Sequence, residues 1–190
     1  LAESLKPSLY ARSTTLTLEV AERESKKEED KRLNSKLVSE SQTEVIQVVQ
    51  PEDTNPMGVA FGGKVMQWMD LAGAVAATRH ARRPVVTASV DHLSFLAPIH
   101  VGDFVIIKAA VNYAGTTSME VGVSIESEDP HTGQRHHTLS GYLTFVALDG
   151  RGKPTPIPKV VPTTDQEKQR YEEARRRRQL KLQWRAEELI

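Results

Sequence analysis

No cysteine occurs among the 190 residues of the chain. Disulfides, thiolate metal sites and a cysteine nucleophile are therefore excluded. Net charge is also missing, because 25 lysines and arginines balance 25 aspartates and glutamates. A general nucleic-acid or membrane-surface binder needs a basic excess, so neither kind of partner is expected. No run approaches the ~18 apolar residues of a membrane span. The HExxH and GxSxG patterns are lacking too, and so is a phosphate loop of the GxxxxGK[ST] type, since Val65 follows the run Gly58–Lys64 where a Ser or Thr is required. The first twenty residues contain no signal-peptide apolar block. Between Ser4 and Leu18 there is no acid, while Lys6, Arg12 and several hydroxyls are present, a composition that hints at a transit segment. Leu1 reads as the start of a trimmed chain, and the compartment expected for the protein is cytoplasmic.

What is present divides into three parts. Residues 1–38 form a charged extension, in which the stretch 19–36 reads as a solvated helix or linker. Residues 39–158 carry nearly all the patterned hydrophobicity and form the expected domain. Residues 159–190 form a tail that continues the proline-rich connector GKPTPIPKVVP, which should run extended. Thr164 with Glu167 three positions later is a capping box, predicting a C-terminal helix. The run Arg175–Arg178 then reads as a solvated helix face, with a contact to the 3′-phosphate of a nucleotide as its alternative.

Within the domain the order is strand, helix, then strands only. TEVIQVVQ (43–50) is rich in β-formers. Gly63 to about His80 lacks proline and is rich in Ala, Met and Leu, predicting a helix of ~27 Å. Pro84 blocks its continuation, and Arg79, His80, Arg82 and Arg83 are the cations favoured at a helix C-terminus. Residues 85–95, 103–115, 118–127 and 136–149 read as strands. Met119, Val121, Val123 and Ile125 alternate with polar or small residues, predicting one buried face. DPHTGQ (129–134) reads as a hairpin turn. One long apolar helix beside strands joined by short turns implies an α+β fold, an antiparallel sheet wrapped over a central helix.

The stretch DTNPMGVAFGGKVMQWMDLAG (53–73) holds the residues that need explaining. Asp70 is a lone acid in an apolar helix, which can be paired with an arginine, face a solvent channel or do chemistry. Gly62-Gly63 is a tight turn into the helix or a place of close backbone approach. Asn55 before Pro56 is a turn residue or a ligand. His131, His136 and His137 are explained by a hairpin and its strand, so no metal is expected. His92 reads as a satisfied strand histidine.

Four segments together are similar to one family: PEDTNPMGVAFGGKVMQWMDLAG, VVTASVDHLSFLAPIHVGD, GTTSMEV and GYLTFVALDGRGKPTPIP. They resemble the hotdog-fold acyl-CoA thioesterases of the acyl-CoA hydrolase type, over about residues 39–158 and in that family's order. The resemblance implies a hotdog fold and hydrolysis of an acyl-CoA thioester. Asp70 would then be general base or nucleophile, the Gly62 and Gly63 N–H groups would hold the oxyanion, and Asn55 would orient water or carbonyl. The hydroxyls of Thr116, Thr117 and Ser118 resemble the family's pantetheine or phosphate contacts, and Arg83 is a further candidate for CoA. No cofactor is implied, since CoA is part of the substrate. Some members carry a hydroxyl one turn after the helix acid, where this chain has Ala74. The resemblance also implies a dimer, associating further as a trimer of dimers. A hotdog dehydratase and a module that binds acyl-CoA without turnover are the alternatives. The first generally pairs a histidine with the acid, and none precedes His80. The second resembles fatty-acid-responsive repressors, whose N-terminal helix-turn-helix has no counterpart pattern in residues 1–38.

Overall fold

A computed structural model describes residues 34–187 of the chain. The acid-free stretch near the N-terminus and most of the charged segment 19–36 lie outside the described residues. From Lys36 onward the chain forms one packed unit. In chain order its elements are β1 (Ser35–Leu37), β2 (Thr43–Val48), α1 (Gly62–Ala81), β3 (Val85–Phe95), β4 (Phe104–Ala114), β5 (Ser118–Glu128), β6 (Arg135–Ala147), β7 (Lys159–Val161) and α2 (Asp165–Glu187).

Five strands form a sheet in the order β2-β4-β5-β6-β3, and every neighbouring pair is antiparallel. The alternation in β5 does what it predicts. Met119, Val121, Val123 and Ile125 are buried, and so are Val105, Ile107, Ala109 and Val111 of β4. Register pairs Ile107 with Ile125 and Val111 with Val121, so the apolar faces of the two strands coincide. On β6 the same face continues as Leu139, Leu143, Phe145 and Ala147. Each fully buried side chain of this kind contributes ~1.5–3 kcal/mol. The turn between β5 and β6 is tied by Asp129, whose Oδ1 accepts from the backbone N–H of His131 at 2.7 Å.

Helix α1 covers that apolar face with small residues, Ala72, Gly73, Ala76 and Ala77, all buried. A Cβ at Gly73 would stand 3.1 Å from the Phe145 ring, so glycine sets how closely helix and sheet approach. The helix ends as Arg82 turns left-handed at φ 51°, its N–H donating to the Thr78 carbonyl at 2.7 Å. Buried His80 donates from Nε2 to the Pro158 carbonyl at 2.9 Å, joining the helix end to the segment before β7. The architecture is the α+β arrangement expected, an antiparallel sheet around one long helix.

Two features depart from the sequence reading. Strand β2 stops at Val48, because Pro51 opens a 3-10 turn that redirects the chain. The proline-rich connector runs extended as expected, and within it Lys159–Val161 pairs with Ser35–Leu37 in a separate two-stranded sheet. Val38 and Val160, just outside residues 39 and 158, are buried with the core.

The second departure corrects half of the solvated face expected at Arg175–Arg178: Arg175 and Arg176 are exposed as expected, and Arg177 and Arg178 are not. Helix α2 lies across the outer face of the sheet, and Arg177 and Arg178 point into it. Arg177 binds the Glu120 carboxylate through two nitrogens at 2.7 and 3.1 Å and stacks 3.6 Å over the Tyr142 ring. Arg178 donates to Ser118 Oγ at 2.8 Å. Lys181 pairs with Asp91 of β3. The guanidinium stem is apolar and its plane stacks on aromatics, so an arginine run can cover a sheet as well as face water. The capping box does form: Glu167 N–H donates to Thr164 Oγ1 at 3.2 Å and Thr164 N–H donates to the Glu167 carboxylate at 3.1 Å.

Candidate active site

Between Pro51 and Phe61 the chain folds on itself before α1 begins. Buried Asp53 anchors it: the carboxylate accepts from the Gln50 N–H at 3.0 Å and pairs with Lys64 in the first helical turn at 3.1 Å. The Gln50 hydrogen bond outweighs the cost of burial and, with Lys64, holds this carboxyl below the usual carboxylate range. The Asp53 carbonyl accepts from the Phe61 N–H at 2.8 Å, which sets the start of the helix.

Asn55 caps the turn inside this loop. Its Oδ1 accepts from the Met57 N–H at 2.9 Å and the Val59 N–H at 3.4 Å. Two N–H donors converging on one atom assign that atom as oxygen, so Nδ2 is the amide's remaining donor.

Helix α1 opens without a side-chain cap at Phe61. The Phe61 carbonyl is taken by the N–H groups of Lys64 and Val65, at 2.8 and 3.1 Å. The Gly62 and Gly63 N–H groups precede these and are the free donors of the helix start. Glycine at 63 has a steric cause within the chain, since a Cβ there would overlap the Phe61 ring. Beside these donors is a cleft of about 360 Å³ lined by Gly62, Val65, Phe95, Leu96, Pro98 and Ile99, among others. Its lining side chains are apolar, and Gly62, with its free N–H, is at its edge.

Asp70 stands two turns further along α1, ~12 Å from Gly62. It is half-buried, at the rim of the core, with the exposed apolar residues Met66, Leu71 and Val75 around it. Thr87 of β3 donates from Oγ1 to Asp70 Oδ1 at 2.6 Å. One residue later the register of β3 against β6 slips, leaving Ala88 unpaired in a bulge. Bulges bend and twist an edge strand, and this one sets the aim of Thr87. Sequence reading missed Thr87. A hydroxyl absent from position 74 is met by one from a strand, and no local spacing connects residues 70 and 87. The only signal was the threonine in a strand that starts just after the helix.

The loop and the helix start are thus brought together, and Asp70 of the same chain is kept apart from them. The CoA candidates lie at the opposite end of α1. The Ala147 N–H donates to the Thr117 carbonyl and the Leu148 N–H to the Pro84 carbonyl, so the Thr116–Ser118 turn and Arg83 border one end of the sheet. Thr116 and Arg83 are exposed. Ser118 has its Oγ engaged by Arg178. His92 sits at the second bulge of β3 with φ 43°, and His131, His136 and His137 are all exposed. Among the described residues no three His, Cys, Asp or Glu side chains gather as a metal site. A larger cavity, about 780 Å³, lies on the outer side of the sheet against Lys108, Asn112, Tyr142 and Arg170. None of Asn55, Gly62 or Asp70 lines it, so its size does not make it the site. No described helix is long and apolar enough to cross a membrane.

The thioesterase superfamily model matches residues 57–134, from the Asn55 loop to the β5–β6 turn. An uncharacterised acyl-CoA thioester hydrolase of Bacillus subtilis is 47% identical over 119 residues, 63% of this chain and 69% of that protein. Rat cytosolic acyl coenzyme A thioester hydrolase is 36% identical over 143 residues, 74% of this chain but 37% of its own length. A crystal structure of an apo-hexameric acyl-CoA thioesterase superposes with a TM-score of 0.78 at 41% identity, covering 80% of this chain and 98% of that one. The acyl-CoA hydrolase of Staphylococcus aureus, solved with butyryl coenzyme A and coenzyme A, superposes with a TM-score of 0.71 at 41% identity, covering 82% of this chain and 98% of that one. That enzyme has also been solved with alanine replacing an asparagine, an aspartate and a threonine. The chain belongs to the hotdog-fold acyl-CoA thioesterases, a family of thioester hydrolases.

Proposed function

We propose that this chain hydrolyses acyl-CoA to a free acid and CoA, using Asp70, Asn55 and the Gly62–Gly63 backbone. The observation that carries the reading is the half-buried Asp70 held by Thr87 at 2.6 Å, in a chain whose helix start presents free N–H donors. In the Staphylococcus aureus enzyme the three substituted residues follow at intervals of 15 and 17 positions, the intervals from Asn55 to Asp70 and from Asp70 to Thr87. That agreement supports the assignment. Asp70 takes a proton from water as the water oxygen bonds to the thioester carbon, or bonds to that carbon itself. The carbonyl oxygen gains the negative charge and is held by the Gly62 and Gly63 N–H groups and by Asn55 Nδ2. The carbon–sulfur bond then breaks, and the CoA sulfur takes the proton that Asp70 received from water; where Asp70 itself bonded to the carbon, the sulfur leaves as thiolate and water opens the resulting mixed anhydride, releasing the acid and restoring the carboxylate. Thr87 fixes the carboxylate rotamer through one oxygen and leaves the other for the proton. CoA enters as substrate, no further cofactor is invoked, and the compartment we assign is cytoplasmic.

Each site is shared between subunits on this reading. A carbonyl ~3 Å from the Gly62 N–H is out of reach of an aspartate ~12 Å along the same helix. A two-fold axis beside α1 makes two helices antiparallel, setting Asp70 and the Arg83 end of one chain near the Asn55 loop of the other. The exposed apolar residues Met66, Leu71 and Val75 of α1 and Val86, Val90, Phe95 and Leu96 along or just after edge strand β3 are the surface such a pairing would cover. The hexameric state of the relative fits three such dimers.

Thiol release from acyl-CoAs of several chain lengths tests the activity. Tight binding without release at any length would overturn hydrolysis in favour of a binding module. Mixing Asn55→Ala and Asp70→Ala subunits, each inactive alone, tests the sharing. Random exchange of equal amounts would return about a quarter of wild-type activity, because half the dimers are mixed and each of those holds one intact site. No return after verified exchange would refute shared sites.

A further inference from the structure

Position 141 on the inner face of β6 lacks the side chain that its neighbours Leu139 and Leu143 provide. Its space is filled from elsewhere. A Cβ on Gly141 would stand 2.5 Å from Met69 Cε, 3.4 Å from Met69 Sδ and 3.1 Å from Leu93 Cδ1. The end of the Met69 side chain therefore lies on the strand backbone, with Leu93 beside it. Glycine within a strand marks this kind of close approach.

The place of that contact gives it a use. Val65 of α1 and Phe95 of β3 line the apolar cleft beside the Gly62 and Gly63 donors. Met69 lies one helical turn beyond Val65 on the same side of α1, and Leu93 lies two residues before Phe95 on the same strand. Neither lines the cleft itself; they stand behind Val65 and Phe95, where a chain running deeper between helix and sheet would be stopped. We propose that Met69 and Leu93, seated over Gly141, form the floor of the acyl cleft and set the longest acyl chain the enzyme accepts. This rests on the thioesterase reading above and adds the residues that limit its substrate. Methionine suits a floor, being unbranched and flexible, and glycine beneath it is what lets it lie flat.

The two floor positions predict opposite effects. Met69→Ala removes the floor and should extend activity to chains longer than the wild-type limit. Gains of about tenfold or more are expected there, the scale on which apolar pockets discriminate one methylene, with little change for short chains. Gly141→Ala places a methyl where Met69 now lies, forcing it toward the cleft, and should cut activity on the longest accepted chains while sparing acetyl-CoA. Values of kcat/KM from acetyl- to palmitoyl-CoA for both variants make the test. Thermal unfolding checks that each has folded, and Met69→Val replaces Met69→Ala if the latter has not. A purely structural role would lower all chain lengths together in both variants, and that outcome overturns the floor. A wild-type protein that releases thiol from no acyl-CoA fails the thioesterase reading itself.

Discussion

On the inner face of the sheet α1 lays Ala72, Gly73, Ala76 and Ala77 against Leu143 and Phe145, whereas on the outer face α2 lays Arg177, Arg178 and Lys181 against Glu120, Ser118 and Asp91. The inner layer is dry and close, so a carboxylate is tolerated only at its rim, where Asp70 meets Thr87. The outer layer is a set of ion pairs and a cation–π stack, in which charge is the means of attachment. One sheet is thus covered twice by different physics, with chemistry assigned to the edge of the apolar layer and attachment to the charged one. Damage to the first should reach turnover, and damage to the second should reach stability.

Asp70→Asn is the strongest test of that division. It should lower kcat by about 10²–10⁴-fold, the usual contribution of a positioned acid or base, with thermal unfolding close to wild type. A variant that kept its kcat would remove Asp70 from the chemistry. On the outer face, Arg177→Ala leaves Glu120, whose side chain is 7% exposed, without its partner and removes the stack on Tyr142. A loss of ~2 kcal/mol in urea unfolding is expected, because a largely buried carboxylate loses its counter-charge. Its kcat should be retained; a large fall in kcat at unchanged stability would erase the contrast between the two faces.

Thr87→Val sharpens the comparison inside the apolar layer. Shape is kept and only the hydrogen bond to Asp70 is lost, so kcat should drop by about tenfold while KM stays near wild type. The smallest effect concerns the far end of α1. Burial outweighs the Pro158 hydrogen bond and pushes His80 below the ordinary imidazole value, and its Nδ1 has no partner. The unfolded chain then binds this proton more readily than the folded one. Stability should fall as the pH drops below about 6.5 and level off below the folded-state value. His80→Leu should be less stable overall but lose this contribution to the slope, which denaturant titrations at several pH values would show.

Much of this organisation was legible in the residues. Alternation in β5, the capping box at Thr164 and Glu167, and proline at 84 are local signals, and each has its expected structural consequence because neighbours along the chain suffice to cause it. The grouping of the Asn55 loop with Gly62 and Gly63 is local in the same sense, since a single turn joins them. Arg177 and Arg178 were misread because composition gives charge but not what the charge faces, and Glu120, Tyr142 and Ser118 are far away in sequence. Thr87 stayed hidden for the same reason.

Sequence alone determined that a lone aspartate would lie in an apolar helix just after a glycine pair, because helical spacing and glycine's backbone freedom act over a few residues. Tertiary structure decided what each group meets. Pairing of β3 with β6 and a bulge at Ala88 bring Thr87 to Asp70, while 20 residues of rigid helix keep the Arg83 end away from Gly62. Such meetings depend on how distant segments pack, and no pattern within one segment encodes them.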